Sequence, residues 1–197
     1  MNEEKWTENV ILADADYVDN VAFDLTVNFE RMLGRRIPQA DMAKWAECVA
    51  LDGGMREGEH EVQVILIHQG QNRRMKNFTP GSYNEELNGK AFHGRLGEFT
   101  ITAVQTEDMV SKEDLLQDTL HLVCQQKEVK RLMVITPDEM MDGVRQTLRR
   151  LDSDERRTTV FTMQPTQGGS FRQELLGYSL MAALGITSKE IEEKIKN

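Results

Sequence analysis

The chain has 197 residues, of which 39% are hydrophobic and 29% charged, enough to bury the core of one domain without cross-links. Lys and Arg number 24 against 33 Asp and Glu, and a net charge of −9 argues against a dedicated, tight nucleic-acid binder, which is usually basic. Two cysteines exclude a disulfide scaffold, and no apolar run approaches the roughly 20 residues of a membrane helix. The opening MNEEKW lacks the basic-then-apolar pattern of a leader, so the sequence predicts a cytoplasmic protein without a membrane partner.

Short apolar runs and helical patterns alternate along the chain. The apolar runs predict five strands, at Val10–Ala13, Val62–His68, Phe99–Val104, Leu132–Ile135 and Thr159–Met163. The other patterns predict helices over Val21–Leu33, Pro38–Leu51, Ser111–Gln126, Pro137–Leu151 and Phe171–Leu184, a possible short helix over Asn84–Leu87, and a final charged helix that Thr187 begins.

Strands separated by helices require crossover connections, which predict a mostly parallel sheet. The expected fold class is therefore α/β: a single domain over residues 1–197 that forms a three-layer sandwich with about five strands. Residues 9–165 would form its core, and residues 171–197 its C-terminal helices. Because the run Val10–Ala13 is apolar without alternation, it should be a central strand covered on both faces and parallel to its neighbours.

Acidic residues follow the predicted strands at the edge where ligands of parallel sheets gather. Asp14 and Asp16 come directly after the first strand, Asp114 lies at a helix start after the third, and Asp138 follows the fourth. Clustered carboxylates repel one another unless a cation or a shifted pKa relieves the repulsion. Carboxylates and water are the ligands that Mg²⁺ and Mn²⁺ prefer, so a site for one of these ions is the functional interpretation.

Helix capping explains several of these acids equally well. Thr136 would cap the helix that contains Asp138. Ser111 would do the same for the helix with Asp114, and Asp19 could cap the first helix. The two acids directly after the first strand lack such an explanation, and burying them without a partner would be costly.

The segment from Gln69 to Arg95 is the least regular part of the chain and contains a cluster of cations. Arg73, Arg74 and Lys76 lie there, near two aromatic residues on which a base could stack. On an acidic chain such cations are usually a solvated surface. The functional alternative is weak binding of RNA by these three residues.

The run from Asn9 to Leu25, NVILADADYVDNVAFDL, resembles the opening of PIN-like nucleases of the NYN branch, an apolar strand with an Asp and, a few residues on, an Asn. Gly34-Arg35-Arg36-Ile37 before Lys44-Trp45 is similar to the region of the family's second helix. Ser111-Lys112-Glu113-Asp114 is similar to the Lys and Asp that open a helix there. The stretch from Leu132 to Asp138 is similar to a strand followed by Ser-Gly-Asp-x-Asp.

The resemblance implies an α/β sandwich whose acidic cluster binds Mg²⁺ or Mn²⁺ and hydrolyses RNA. Its metal-site and catalytic residues would be Asp14, Asp16, Asp114 and Asp138, and Asn20 would join Arg73, Arg74 and Lys76 in binding the substrate. Pro137-Asp138-Glu139-Met140 departs from the family's pattern because the last acid is missing. The alternative is therefore a catalytically inactive interaction or binding module with a possible protein partner or second copy. The amphipathic tail around Ile191 and Ile195 could dock on its own domain or on a partner subunit.

Two other enzyme classes also place acids after a first strand. Phosphatases of the haloacid-dehalogenase type have strand-Asp-x-Asp, with the first Asp as nucleophile and the second as general acid. Here Tyr17-Val18 replaces the usual Gly-Thr, and no distinct lysine motif stands out. Response-regulator receivers have a lysine and proline after the last strand, where this chain has Gln164-Pro165. Both classes fit less well than the PIN/NYN type.

Overall fold

The computed structural model describes residues 5–167 and 171–197, which form nine strands, six α-helices, a π-helical turn over Tyr83–Leu87 where a short helix was expected, and a 3₁₀ turn over Asp138–Met140. The strands are β1 (Asn9–Asp14), β2 (Ala40–Asp41), β3 (His60–His68), β4 (Phe78–Thr79), β5 (Ala91–Gly94), β6 (Gly97–Gln105), β7 (Arg131–Ile135), β8 (Arg157–Thr162) and β9 (Arg172–Leu175). The helices are α1 (Ala15–Leu33), α2 (Met42–Asp52), α3 (Lys112–Cys124), α4 (Met141–Leu151), α5 (Leu176–Ala183) and α6 (Ser188–Ile195).

Seven of the strands form one sheet in the order β5-β6-β3-β1-β7-β8-β9. Strand β1 lies at its centre, where Ala13 pairs with Leu66 of β3 and with Ile135 of β7, both in parallel register. The prediction of a central, parallel first strand is therefore confirmed. Strand β5 pairs antiparallel with β6, and the other neighbouring pairs of this sheet are parallel.

Helices cover both faces of the sheet, which explains why β1 is apolar throughout. Ile11 and Ala13 pack on one face with Val18 of α1 and Trp45 of α2. Leu12 packs on the other face, in the cluster formed with helices α3 and α4. A strand that is covered on both sides gains from an apolar residue at every position, so its sequence does not alternate. The predicted α/β class and its mostly parallel sheet are confirmed.

The sheet has seven strands and not the predicted five, because two short edge strands carry weak sequence signals. Strand β9 pairs through Arg172–Leu175 with Thr159–Thr162 of β8, so the helix predicted from Phe171 begins only at Leu176. The helical prediction for this segment was wrong, because pairing with β8 overrides a local apolar pattern. Strand β5 forms a tight hairpin with β6 in which Gly97 has a φ of 113°.

Helix α1 begins at Ala15 and not at the predicted Val21. Asp14 caps it, because a carboxylate oxygen accepts the backbone N–H of Tyr17 at 3.0 Å. The cap role considered for Asp19 is wrong, since this side chain lies inside the helix and binds elsewhere. None of the helices in the described part of the chain is long and apolar enough to cross a membrane.

The remaining cap predictions had mixed outcomes. Ser111 caps α3 and Thr187 caps α6, as predicted. Pro38 precedes the short strand β2 and does not begin α2, whose cap is Asp41. Thr136 makes no cap, because a 3₁₀ turn over Asp138–Met140 precedes α4 and carries no side-chain cap. The Thr136 hydroxyl is therefore left for another role.

The side chain of Arg156 is buried at the amino end of the sheet and binds three carbonyl oxygens at the end of α3 and in the loop that follows it. It donates to the carbonyl oxygens of Val129 (2.9 Å), Cys124 (3.2 Å) and Gln126 (2.8 Å). We expect Arg156→Met to lower the free energy of unfolding by about 2 kcal/mol, because it leaves these acceptors unpaired. Urea unfolding measures the effect, and the exposed neighbour Arg157→Met should change stability by less than about 0.5 kcal/mol. Equal losses for both variants would contradict this role.

Candidate binding site at the carboxyl ends of the central strands

The carboxyl ends of β1 and β7 form the topological switch point of the sheet. The chain runs from β1 to β3 and β6 on one side, and then crosses back to β7 on the other side. Ligands of open α/β sheets bind in the crevice at such a point. Ala13 pairs with Ile135, so Asp14, the last residue of β1, lies beside Thr136, the first residue after β7.

Asp14 is completely buried at this point and has one free oxygen. Its Oδ1 accepts the N–H of Tyr17 and lies 3.1 Å from the ammonium nitrogen of Lys112. Its Oδ2 has no hydrogen-bond partner among the described residues. Burial raises the pKa of the Asp14 carboxyl, and the charge of Lys112 offsets part of that rise.

Asp16 uses both of its oxygens to anchor the irregular segment that follows β3. Its Oδ2 accepts the backbone N–H of Gln69 at 2.8 Å. Its Oδ1 accepts the amide of Asn72 at 2.9 Å and, at a longer 3.4 Å, the hydroxyl of Tyr83. Burial and the nearby Asp16 charge raise the pKa of Tyr83, which keeps its proton available for donation. Asp16 therefore acts as a structural acceptor whose lone pairs are largely occupied.

Lys112 joins the two carboxylates. Because Ser111 caps α3, Lys112 is its first residue, and its side chain points toward the end of β1. Its ammonium nitrogen lies 3.1 Å from Asp14 and 3.4 Å from Asp16, and its side chain is only 17% exposed. The sequence-based choice of Asp114 as a site residue passed over this lysine. Its position at the start of the helix after the third strand was the available signal.

Thr136 contributes a second unpaired polar atom at the same edge. The residue is completely buried, and its hydroxyl oxygen makes no hydrogen bond within the described structure. Nearby, burial together with the charges of Asp138 and Glu139 raises the pKa of Tyr17 to about 12. Asp138 is therefore close enough to act electrostatically on α1, although its own side chain is exposed.

The structure brings together two of the four predicted metal-site residues. Asp14 and Asp16 share Lys112, whereas Asp114 is exposed in the first turn of α3, where its backbone N–H is capped by Ser111. Among residues 5–167 and 171–197, no three acidic, histidine or cysteine side chains are grouped so that they could hold one metal ion. Asn20, a predicted substrate-binding residue, is exposed on α1.

The predicted substrate-binding cations lie on a loop that the acids of α1 hold in place. Asp19 accepts the backbone N–H groups of Lys76 (3.0 Å) and Asn77 (2.8 Å). Together with the contacts of Asp16, this fixes the loop over residues 69–77 at both ends. The side chains of Arg73, Arg74 and Lys76 are exposed on it. Two carboxylates near the start of α1, the buried Asp16 and the half-buried Asp19, thus position a basic surface over residues 69–77, which we call the anchored loop.

A polar groove of about 380 Å³ lies beside the anchored loop. Its floor contains His68 and Tyr83, whose rings stack with centroids 3.6 Å apart. His68 Nδ1 lies 2.8 Å from the carbonyl oxygen of Gln69, so Nδ1 carries the proton and Nε2 is an acceptor in the neutral ring. The other lining residues are Gly70, Asn72, Arg73, Ser82, Asn84, Glu85 and Gln105.

Lys112 supplies the lysine for which the sequence showed no distinct motif in the phosphatase alternative, but the second Asp does not fit that class. That chemistry requires the second Asp to donate a proton to the leaving group. Asp16 instead accepts hydrogen bonds on both oxygens, so neither oxygen faces a leaving group as a donor. The geometry therefore disfavours a general-acid role for Asp16.

Comparisons with known proteins identify a family without assigning a function. No curated protein and no solved structure matches the chain. A family model described as "Family of unknown function (DUF6621)" matches residues 3–191. Since the match spans nearly the whole chain, the protein belongs to the DUF6621 family.

Proposed function

We propose that the protein is a binding module that holds single-stranded RNA at the carboxyl edge of its sheet without cleaving it. The observation that carries this proposal is the anchored loop, in which Asp16 and Asp19 fix a backbone that exposes Arg73, Arg74 and Lys76. A fixed loop loses little conformational entropy when it binds a charged strand. The adjoining groove offers amide, hydroxyl and imidazole groups to a base.

The net charge of −9 limits the strength of this binding. Local cations attract the phosphates, whereas the acidic remainder of the surface repels them. We therefore expect a dissociation constant on the order of 10–100 μM at low salt and a steep loss of affinity as salt increases.

The absence of cleavage in this proposal follows from the charge balance at Asp14 and Asp16. Metal-dependent hydrolysis needs a cation that clamps the attacking and leaving oxygens. In this protein the ammonium of Lys112 already lies between the two acids and balances one of their two negative charges. Because Asp114 and Asp138 are exposed and form no triad with that pair, the arrangement favours the binding module over the nuclease.

The test measures fluorescence anisotropy of a labelled single-stranded RNA at low salt. We expect Arg73→Gln/Arg74→Gln to weaken binding about tenfold, and to make the slope of log affinity against log salt less negative by about 1.4, since each lost phosphate contact contributes roughly 0.7. The matched control is Arg149→Gln/Arg150→Gln. These exposed residues end α4 and therefore lie at the opposite edge of the sheet. Equal weakening by both double variants would show that binding follows net charge alone, and would reject the proposed site.

A metal-dependent ribonuclease of the PIN/NYN type is the second candidate function. It is favoured by the free Oδ2 of Asp14 and the free hydroxyl of Thr136, two buried oxygens at the switch point. It requires Mg²⁺ or Mn²⁺ to displace Lys112 from the acidic pair. Incubating single-stranded RNA with Mn²⁺ at low salt tests it. Cleavage that Asp14→Asn abolishes would establish the nuclease, and cleavage that survives this substitution would come from a contaminant.

A further inference from the structure

We propose that the ammonium of Lys112 takes the place of a divalent cation between Asp14 and Asp16, so that a metal site forms at the switch point only when this lysine is removed. The natural chain would thus supply its own counter-ion. This inference goes beyond RNA binding, because it concerns the buried ion pair and not the exposed cations of the anchored loop.

The position of Lys112 supports its role in place of a metal ion. Its nitrogen lies 3.1 Å from Asp14 Oδ1 and 3.4 Å from Asp16 Oδ2, so one positive charge serves two carboxylates. The side chains of Asp14 and Asp16 are 0% and 10% exposed. Water therefore screens the two negative charges poorly, and they require a cation close by.

Two buried oxygens beside the ion pair have no hydrogen-bond partner in the described part of the chain, so the ammonium does not contact every oxygen at this position. Asp14 Oδ2 and the Thr136 hydroxyl oxygen are buried and lack hydrogen-bond partners within the described residues. They belong to the last residue of β1 and the first residue after β7, which lie side by side because Ala13 pairs with Ile135. Buried oxygens without partners are uncommon and costly, so they indicate a position for a cation that coordinates more oxygen atoms than the ammonium of Lys112 contacts.

The donor set has the chemistry of a weak site for a hard cation. Mg²⁺ and Mn²⁺ prefer oxygen ligands, and Mg²⁺ in proteins is often held by one or two carboxylates together with several waters. Asp14 would provide the principal ligand, because its Oδ2 is free. Asp16 would contribute charge while keeping its contacts with Gln69 and Asn72. The expected affinity is therefore on the order of 1 mM.

The experiment compares melting temperatures of the wild type, Lys112→Ala and Lys112→Arg with and without 10 mM Mn²⁺. Lys112→Ala should melt lower than the wild type in the absence of metal, and Mn²⁺ should then raise its melting temperature by about 3–6 °C. The wild type and Lys112→Arg, which keeps the positive charge, should not respond. The double variant Lys112→Ala/Asp14→Asn should lose the response, because it lacks the principal ligand.

Two outcomes overturn the proposal. A folded Lys112→Ala variant that gains no stability in Mn²⁺ would show that the carboxylates do not form a cation site. A wild-type chain that binds one Mn²⁺ by electron paramagnetic resonance, with loss of that binding in Asp14→Asn, would show that the ion displaces the lysine. This second measurement needs no Lys112 variant. Neither outcome affects the RNA test, which changes only Arg73 and Arg74.

Discussion

Lys112→Met is expected to lower the free energy of unfolding by about 3–5 kcal/mol at pH 7, because it leaves the buried carboxylate of Asp14 without its cation. Methionine retains most of the length and apolar contacts of the lysine stem, so the loss reports mainly the charge. Chemical denaturation followed by circular dichroism measures it.

The destabilisation by Lys112→Met should depend on pH, and the direction of this dependence should identify Asp14 as the group responsible. The folded-state pKa of Asp14 is raised above its ordinary value of 3.8, chiefly by burial. A carboxyl whose pKa is raised by folding contributes stability below its unfolded pKa and loses that contribution as the pH rises through the folded value. Removing Lys112 raises the folded pKa further. The destabilisation by Lys112→Met should therefore be greatest near neutral pH and should shrink as the pH falls and Asp14 becomes protonated.

A double-mutant cycle provides the control. Adding Asp14→Asn to Lys112→Met removes the buried charge, and should recover most of the lost stability and abolish the pH dependence. A destabilisation by Lys112→Met that stays constant from pH 7 to pH 4 would contradict the assignment. The stabilisation by this lysine would then come from contacts of α3 other than the ion pair with Asp14.

Asp16→Ala is expected to cost about 3 kcal/mol and to release the anchored loop. The substitution removes the acceptor for the backbone N–H of Gln69 and for the side chains of Asn72 and Tyr83. The amide of Gln69 should then exchange with deuterium much faster, as should those of its neighbours in residues 69–77.

The matched control for this variant is Asp24→Ala, which removes an exposed aspartate from the same helix. It should change stability by less than about 0.5 kcal/mol and leave exchange in the anchored loop unaltered. If Asp16→Ala destabilised the protein without faster exchange in residues 69–77, its role as the anchor of the loop would be wrong.

Much of the fold could be predicted from the sequence, because the deciding interactions are local. An apolar run at Val10–Ala13 requires cover on both faces, which places it at the centre of a parallel sheet. Ser111 and Thr187 cap helices through contacts within three residues along the chain. Such signals lie in neighbouring residues, and they located the strand end at which Asp14 lies.

Edge strands and the start of α1 could be predicted less well. Arg172–Leu175 becomes a strand because it pairs with β8, a contact that apolar periodicity does not encode. The pattern allows Asp19 as the cap of α1, but Asp14 caps the helix directly after the strand. A carboxylate that both ends a strand and caps a helix has no distinctive local pattern.

The sequence by itself determined that acids would collect at the carboxyl edge of the sheet, because strand ends and crossovers follow from hydrophobic patterning. Only the tertiary structure decided what those acids do. Lys112 lies 96 residues from Asp16 along the chain, and Asn72 lies 56 residues from it, yet both reach the same carboxylate. The charge balance of a buried site depends on such distant contacts, because in a poorly screened interior the nearest cation decides whether an acid binds a metal, titrates or anchors a loop.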